Sequence, residues 1–127
     1  MIAADTSTWV AFLEKQPGED VELLAQSLGD HQLVMVPAVL TELLSSVDLP
    51  TDVASYLRAI PRIPVGPEYW ENAGFLRAMI LGRGRRARLG DALIAESCLA
   101  EGVRLLTRDK DFRIFAEAAG LQLAVIP

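Results

Sequence analysis

Short apolar runs alternate with segments whose apolar residues recur at helical spacing, and this alternation limits the folds open to the chain more than any other feature. The runs are Ile2-Ala3-Ala4, Leu33-Val34-Met35-Val36, Pro61-Arg62-Ile63-Pro64-Val65, Val103 to Thr107, and Leu121 to Ile126. Continuous apolar runs of this kind belong to strands buried on both faces. The first helical stripe is Trp9, Phe12 and Leu13, closed by Pro17-Gly18, and the second is Val21, Leu24, Ala25 and Leu28. A helical hairpin follows, with Val39, Leu40, Leu43, Leu44 and Val47 on one arm and Val53, Ala54, Leu57 and Ile60 on the other. Gly66-Pro67 opens a long helix through Tyr69, Trp70, Ala73, Leu76, Met79 and Ile80, whose stripe reads as core. Ala92 to Leu99 and Phe112 to Ala119 complete the set.

Strands alternating with helices predict an α/β fold of three layers, α/β/α, with a mostly parallel central sheet of about five strands. Residues 1–127 read as one domain, and the proline-flanked run is expected at a sheet edge, where a missing donor is tolerated. Ligands in such sheets bind outside the carboxyl ends of the strands. There the sequence places acids: Asp5 closes the first run, and Asp109 and Asp111 follow the run ending at Thr107. An isolated acid before a helix is more often an N-cap than a ligand, but Asp109 and Asp111 cannot both cap the same helix. Glu42 lies about one turn beyond the second run, on the polar side of its helix. Asp91 shares a helix face with Ala95 and Cys98, so its carboxylate points inward and needs a partner, a metal or backbone donors.

If the first strand is central, Asp5 and Asp109 end neighbouring strands, and Glu42 and Asp91 reach the same crevice from nearby helices. Gathered carboxylates repel unless a cation sits among them. Oxygen ligands without Cys or His point to a hard divalent ion, Mg2+ or Mn2+, and such an ion suits phosphodiester hydrolysis. With one Cys and one His, the chain offers neither a zinc site nor a His-based nucleophile pair, and Cys98 reads as core filling. A net charge of -5 argues weakly against nucleic-acid binding, yet clustered acids can coexist with a basic surface beside them. That surface would be Gly82 to Arg88, which reads either as a solvated loop or as a phosphate-binding segment with Arg83, Arg85, Arg86 and Arg88 as the candidate RNA contacts. The acids Glu19, Asp20 and Glu22 read as a solvated helix start. No apolar run approaches the ~20 residues of a membrane span and no signal peptide is visible, so a cytoplasmic protein without membrane contact is expected.

Four fragments occur in order: Asp5-Thr6-Ser7, Glu42 within Val39-Leu40-Thr41-Glu42-Leu43-Leu44, Asp91 within Gly90-Asp91-Ala92-Leu93-Ile94-Ala95, and Leu106-Thr107-Arg108-Asp109-Lys110-Asp111-Phe112. Together they resemble the PIN-domain ribonucleases, and within them the VapC-like toxins of toxin-antitoxin modules, over the whole chain. The resemblance implies a PIN-like fold and Mg2+-dependent endonucleolytic cleavage of single-stranded RNA. It implies Asp5, Asp91 and Asp109 as metal ligands, Glu42 as a fourth catalytic acid, and Asp111, Thr6 and Thr107 as secondary residues. With Asp5 serving as ligand, Thr6 and Ser7 would take over the capping of the first helix. A small antitoxin gripped by the hairpin from Val39 to Ile60, and a homodimer, are the implied partners. The alternatives are a catalytically silent PIN-like binding module and a PIN nuclease of RNA processing with no toxin role.

Overall fold

Ile2-Ala3-Ala4 has no polar side chain to solvate and forms a fully buried strand, β1 (Ile2–Ala4). It pairs in parallel with β2 (Arg104–Leu106), Ile2 opposite Arg104 and Ala4 opposite Leu106. The computed structural model describes Met1 to Pro127 throughout. On the other side of β1, Leu33 bridges Ile2 in parallel, and Met35 in turn bridges Arg62; beyond β2, Leu105 bridges Leu123. All five expected runs therefore lie side by side with β1 in the middle, although only β1 and β2 are continuous strands. The other three are held by a few backbone bonds each, such as Val34 N–H to Ile2 O (2.9 Å), Ile63 N–H to Met35 O (2.9 Å) and Ala124 N–H to Leu105 O (2.9 Å). Prolines set that limit. Pro37 starts a helix directly after Val36, while Pro61 and Pro64 flank the edge run and cannot donate to a ladder.

Seven helices surround the sheet: α1 (Thr6–Leu13), α2 (Glu19–Gly29), α3 (Pro37–Leu44), α4 (Thr51–Ala59), α5 (Tyr69–Gly82), α6 (Leu89–Glu101) and α7 (Arg113–Ala119). Right-handed crossovers from β1 outward to Arg62 put α1 to α4 on one face, and the return to β2 and Leu123 puts α5 to α7 on the other. Most contacts follow this division, with α1 packed on α2 and α3, α3 on α4, and α5 on α6 and α7; α3 also packs on α6 across it. The layers are thus α/β/α, and one apolar cluster draws residues from every strand and helix, from Ile2 and Trp9 to Phe115. Burying side chains of this size, at roughly 1.5–3 kcal/mol each, supplies the main stabilisation of the fold.

Three local readings are corrected. Helix α1 ends at Leu13, before Pro17-Gly18, with Glu14 as its C-cap and Lys15 at φ 58°. Helix α3 ends at Leu44, leaving Val47 outside it and exposed. In α5, Tyr69, Ala73, Leu76 and Ile80 are buried as core, but Trp70 is 63% exposed and Met79 is also open to solvent. Cys98 is buried as core filling, and burial pushes its thiol up to about 12, which leaves it unreactive. No helix is long and apolar enough to cross a membrane.

Candidate metal centre

Parallel pairing brings the carboxyl ends of β1 and β2 together, and the backbone N–H of Asp5 donates to Leu106 O at 2.9 Å. Asp5 is 3% exposed, and its carboxylate is held by three donors. Thr107 Oγ1 donates to Oδ2 at 2.6 Å; Ser7 Oγ and Thr8 N–H donate to Oδ1 at 2.7 and 3.0 Å. Asp5 is therefore still the N-cap of α1, contrary to the reading that passed this duty to Thr6 and Ser7. Its two oxygens allow both: one carboxylate has about four lone-pair positions, and Oδ2 spends only one on Thr107. Burial raises the Asp5 carboxyl above its usual range, against the pull of Thr107, Ser7 and Thr8, and Asp109 adds to the rise.

Three further acids meet at the mouth of this crevice. Asp91 stands in the first turn of α6, and Asp109 and Asp111 in the segment after β2; single oxygens of the three lie within 4.8 Å of one another. Asp109 caps the 3-10 turn Lys110–Phe112 by accepting from Asp111 N–H at 2.9 Å, and its own N–H donates to Thr107 Oγ1 at 2.9 Å. Thr107 thus links Asp5 to Asp109 through a single hydroxyl. Asp111 caps nothing, so its carboxylate is free to face Asp91. The Asp91 carboxyl is pushed up to about 6, chiefly by burial, with Arg88 opposing and Asp109, Asp111 and Asp5 adding to the rise. Burial and the crowding of carboxylates thus act together against ionisation of Asp91, and a further cation among them would oppose both.

Of the acids singled out in the sequence, the compact group contains Asp91, Asp109 and Asp111; Asp5 sits deeper, close enough to act on Asp91 by charge. Glu42 is exposed on α3 and outside the group, joined to its edge by Thr6 Oγ1, which donates to Glu42 Oε1 at 2.8 Å. The basic segment divides. Arg83 and Arg85 are exposed and make no ion pair or hydrogen bond through their side chains, whereas Arg86 lies 3.6 Å from Asp111. Arg88 contacts Asp91, Asp109 and Asp111 at 3.4, 3.1 and 2.9 Å.

Two supporting residues were not found by sequence reasoning. Asp20, expected on a solvated helix start, is buried and accepts from Arg108 Nε at 2.8 Å, Arg108 Nη2 at 2.9 Å and Thr8 Oγ1 at 2.9 Å. The Arg108 hydrogen bonds hold its carboxyl below the usual range despite burial. Arg108 N–H also donates to Ser7 Oγ at 3.1 Å, so this ion pair fixes the segment that presents Asp109 against the start of α1. Gly18, at φ 154°, lies against that guanidinium where a Cβ would collide with it. An Arg directly after a strand-end threonine was the available signal; its partner lies 88 positions away and carried none.

A family model, the PIN domain, matches residues 2–118. Among solved structures, a chain of VapBC2 from Rickettsia felis, determined bound to a DNA fragment from its promoter, is 22% identical with a TM-score of 0.73, covering 97% of each chain. A chain of VapBC-5 from Mycobacterium tuberculosis, a member of the VapBC family of toxin-antitoxin systems, is 22% identical with a TM-score of 0.63, over 96% of this chain and 95% of that one. A chain of FitAcB from Neisseria gonorrhoeae is 19% identical with a TM-score of 0.69, over 100% and 97% of the two chains. No curated protein sequence matches. At these identities the structural likeness is one of fold.

Proposed function

The chain belongs to the PIN-domain family, and from that premise we propose that it is a Mg2+-dependent endoribonuclease of single-stranded RNA, acting as the toxin of a toxin-antitoxin pair. The observation that carries the reading is the convergence of Asp91, Asp109 and Asp111 in front of the buried Asp5, at the ends of two neighbouring parallel strands. The donor set fits a hard divalent ion, because it is all carboxylate oxygen and the nearest buried thiol, Cys98, is held in its neutral form. Asp91, Asp109 and Asp111 would hold the ion, with Asp5 behind them; Mn2+ suits the same oxygens. When bound, such an ion polarises a phosphoryl oxygen and lowers the pKa of a nearby water.

The protein's own groups supply the rest. Thr107, Ser7 and the Thr8 N–H fix the orientation of Asp5 at no cost in rearrangement when substrate arrives. Glu42, held by Thr6, stands at the rim where it can orient an attacking water. Arg83 and Arg85, without protein partners, are available to phosphates along the strand. The α3–α4 hairpin is the proposed grip for the antitoxin; a structural neighbour, VapBC-5, is a member of a family of toxin-antitoxin systems. A homodimer would cover Trp70 and Phe75, which are 63% and 73% exposed.

The deciding assay incubates purified protein with single-stranded and structured RNA in Mg2+ or in chelator. Cleavage of the single-stranded RNA is expected only in Mg2+, and none from Asp5→Ala. Cleavage that survives chelation or that substitution refutes the proposal, and metal uptake with no turnover on any RNA marks a non-catalytic binding module instead.

A further inference from the structure

The space between Asp91, Asp109 and Asp111 is already spanned by a cation of the chain itself. Arg88 points Nη2 at Asp109 Oδ2 (3.1 Å) and Asp111 Oδ2 (2.9 Å), and Nε at Asp91 Oδ2 (3.4 Å). These three acids are the ones whose oxygens lie within 4.8 Å of one another. A guanidinium there meets part of the charge deficit of the crevice, but it has only N–H donors and no acceptor or Lewis-acid capacity. Held among these oxygens, the guanidinium takes the space and supplies the positive charge that a small ion there would, so the two cations compete for one place.

The backbone on either side of Arg88 is fixed. Ala87 is buried and its carbonyl accepts from Arg77 Nε at 2.9 Å, while α6 starts at Leu89. The Arg88 side chain, in contrast, is 54% exposed and on a long stem, so it can leave the acids by rotation about its own bonds. Leaving costs little, because contacts between partly exposed charges contribute little. A vacating guanidinium stays within a side chain's length of the crevice, beside the position where a phosphodiester bound at the acids would lie.

We propose that Arg88 is a built-in counter-cation of the acidic crevice, which a divalent ion must displace and which that displacement frees to bind substrate phosphate. The proposal rests on reading the crevice as a divalent-metal site. It makes metal and phosphate binding mutually supportive: the ion empties the acids of Arg88, and Arg88 then gains a partner that it lacks in solvent. In the metal-free protein the same contact offsets part of the acids' charge and keeps the arginine engaged, so the crevice holds neither ligand tightly.

The test is direct Mn2+ titration, with free ion counted by electron paramagnetic resonance, on the wild type, Arg88→Ala and Arg85→Ala. Arg85 removes an equal charge from the same segment without touching the acids. Removal of the competitor should tighten Mn2+ binding by about fivefold in Arg88→Ala, with a smaller change in Arg85→Ala. Unchanged affinity in Arg88→Ala, or equal tightening in both variants, overturns the proposal while leaving the metal site standing. Absence of Mn2+ uptake by all three proteins overturns the metal reading itself, and the displacement with it. Circular dichroism of each variant checks the fold, which Arg88 supports through its backbone at the start of α6 and, more weakly, through its exposed ion pairs.

Discussion

Lowering the pH in the absence of metal is expected to stabilise this fold, through Asp91. Folding lifts that carboxyl from 3.8 to about 6, first by burial and then by its acidic neighbours, with Arg88 opposing. Between those values the folded chain holds a proton that the unfolded chain has released. The stability contributed by the group is therefore full below the unfolded value, declines as pH rises through the window, and is lost above the folded value. Going from about pH 7 to about pH 5 places close to one proton on the folded state, about 1.3 kcal/mol, which solvent at the crevice mouth trims to about 1 kcal/mol. Urea unfolding in chelator, for wild type and Asp91→Asn at both pH values, measures it. The wild type should gain about 1 kcal/mol more than the variant on acidification. Asp5, whose carboxyl is also raised, titrates in both proteins and cancels to first order, and the difference belongs to the coupled cluster. Equal gains in the two proteins, or a wild type that loses stability relative to the variant at the lower pH, would refute the account of Asp91.

Other perturbations test the supports of the site. Thr107→Val removes the donor to Asp5 Oδ2 and the acceptor for Asp109 N–H; a loss of about 2 kcal/mol in denaturant unfolding is expected, with the pH–rate profile of RNA cleavage moved to higher pH. Asp20→Ala strips Arg108 of its bidentate partner and should cost about 2 kcal/mol by the same unfolding measurement, with the wild type converging on the variant in acid as the depressed Asp20 carboxyl protonates. Combined Arg83→Ala and Arg85→Ala should lower the slope of log binding constant against log salt for single-stranded RNA by about 1 to 2; an unchanged slope returns both arginines to the solvent.

The central place of the first strand, beside the run ending at Thr107, could be anticipated because each apolar run is short, continuous and separated by helical stripes, and Ile2-Ala3-Ala4 has no polar face to put anywhere but the centre. Sequence spacing could not show how few backbone bonds the outer runs make, since that depends on where Pro37 and Pro61 fall relative to a neighbour's register. The acids were legible as types, as strand-end positions and as a gathering in one crevice, but the membership of the compact group, with Asp111 in it and Glu42 outside, was not. Asp111 looked secondary because the resemblance leaves room for an acid that caps the following helix; a single turn of 3-10 helix gives that cap to Asp109 instead. Arg88 looked like one more basic residue of a loop; its three contacts follow from the first turn of α6 facing the segment after β2, a tertiary fact. Asp20 misled for the opposite reason: at a helix start the dipole alone accounts for an acid, so nothing local calls for Arg108.

Asp5 and Thr107 are 102 positions apart, yet the hydroxyl of one orients the carboxylate of the other. The central strand of the sheet is therefore made early and waits for its partner β2 until most of the chain exists, an assembly order dominated by distant pairings. During translation the acidic crevice is not a weaker version of its final form but is missing one of its walls. Completion of the fold and assembly of the crevice are one event, and a ribosome carrying an unfinished copy of this chain carries no assembled crevice with it.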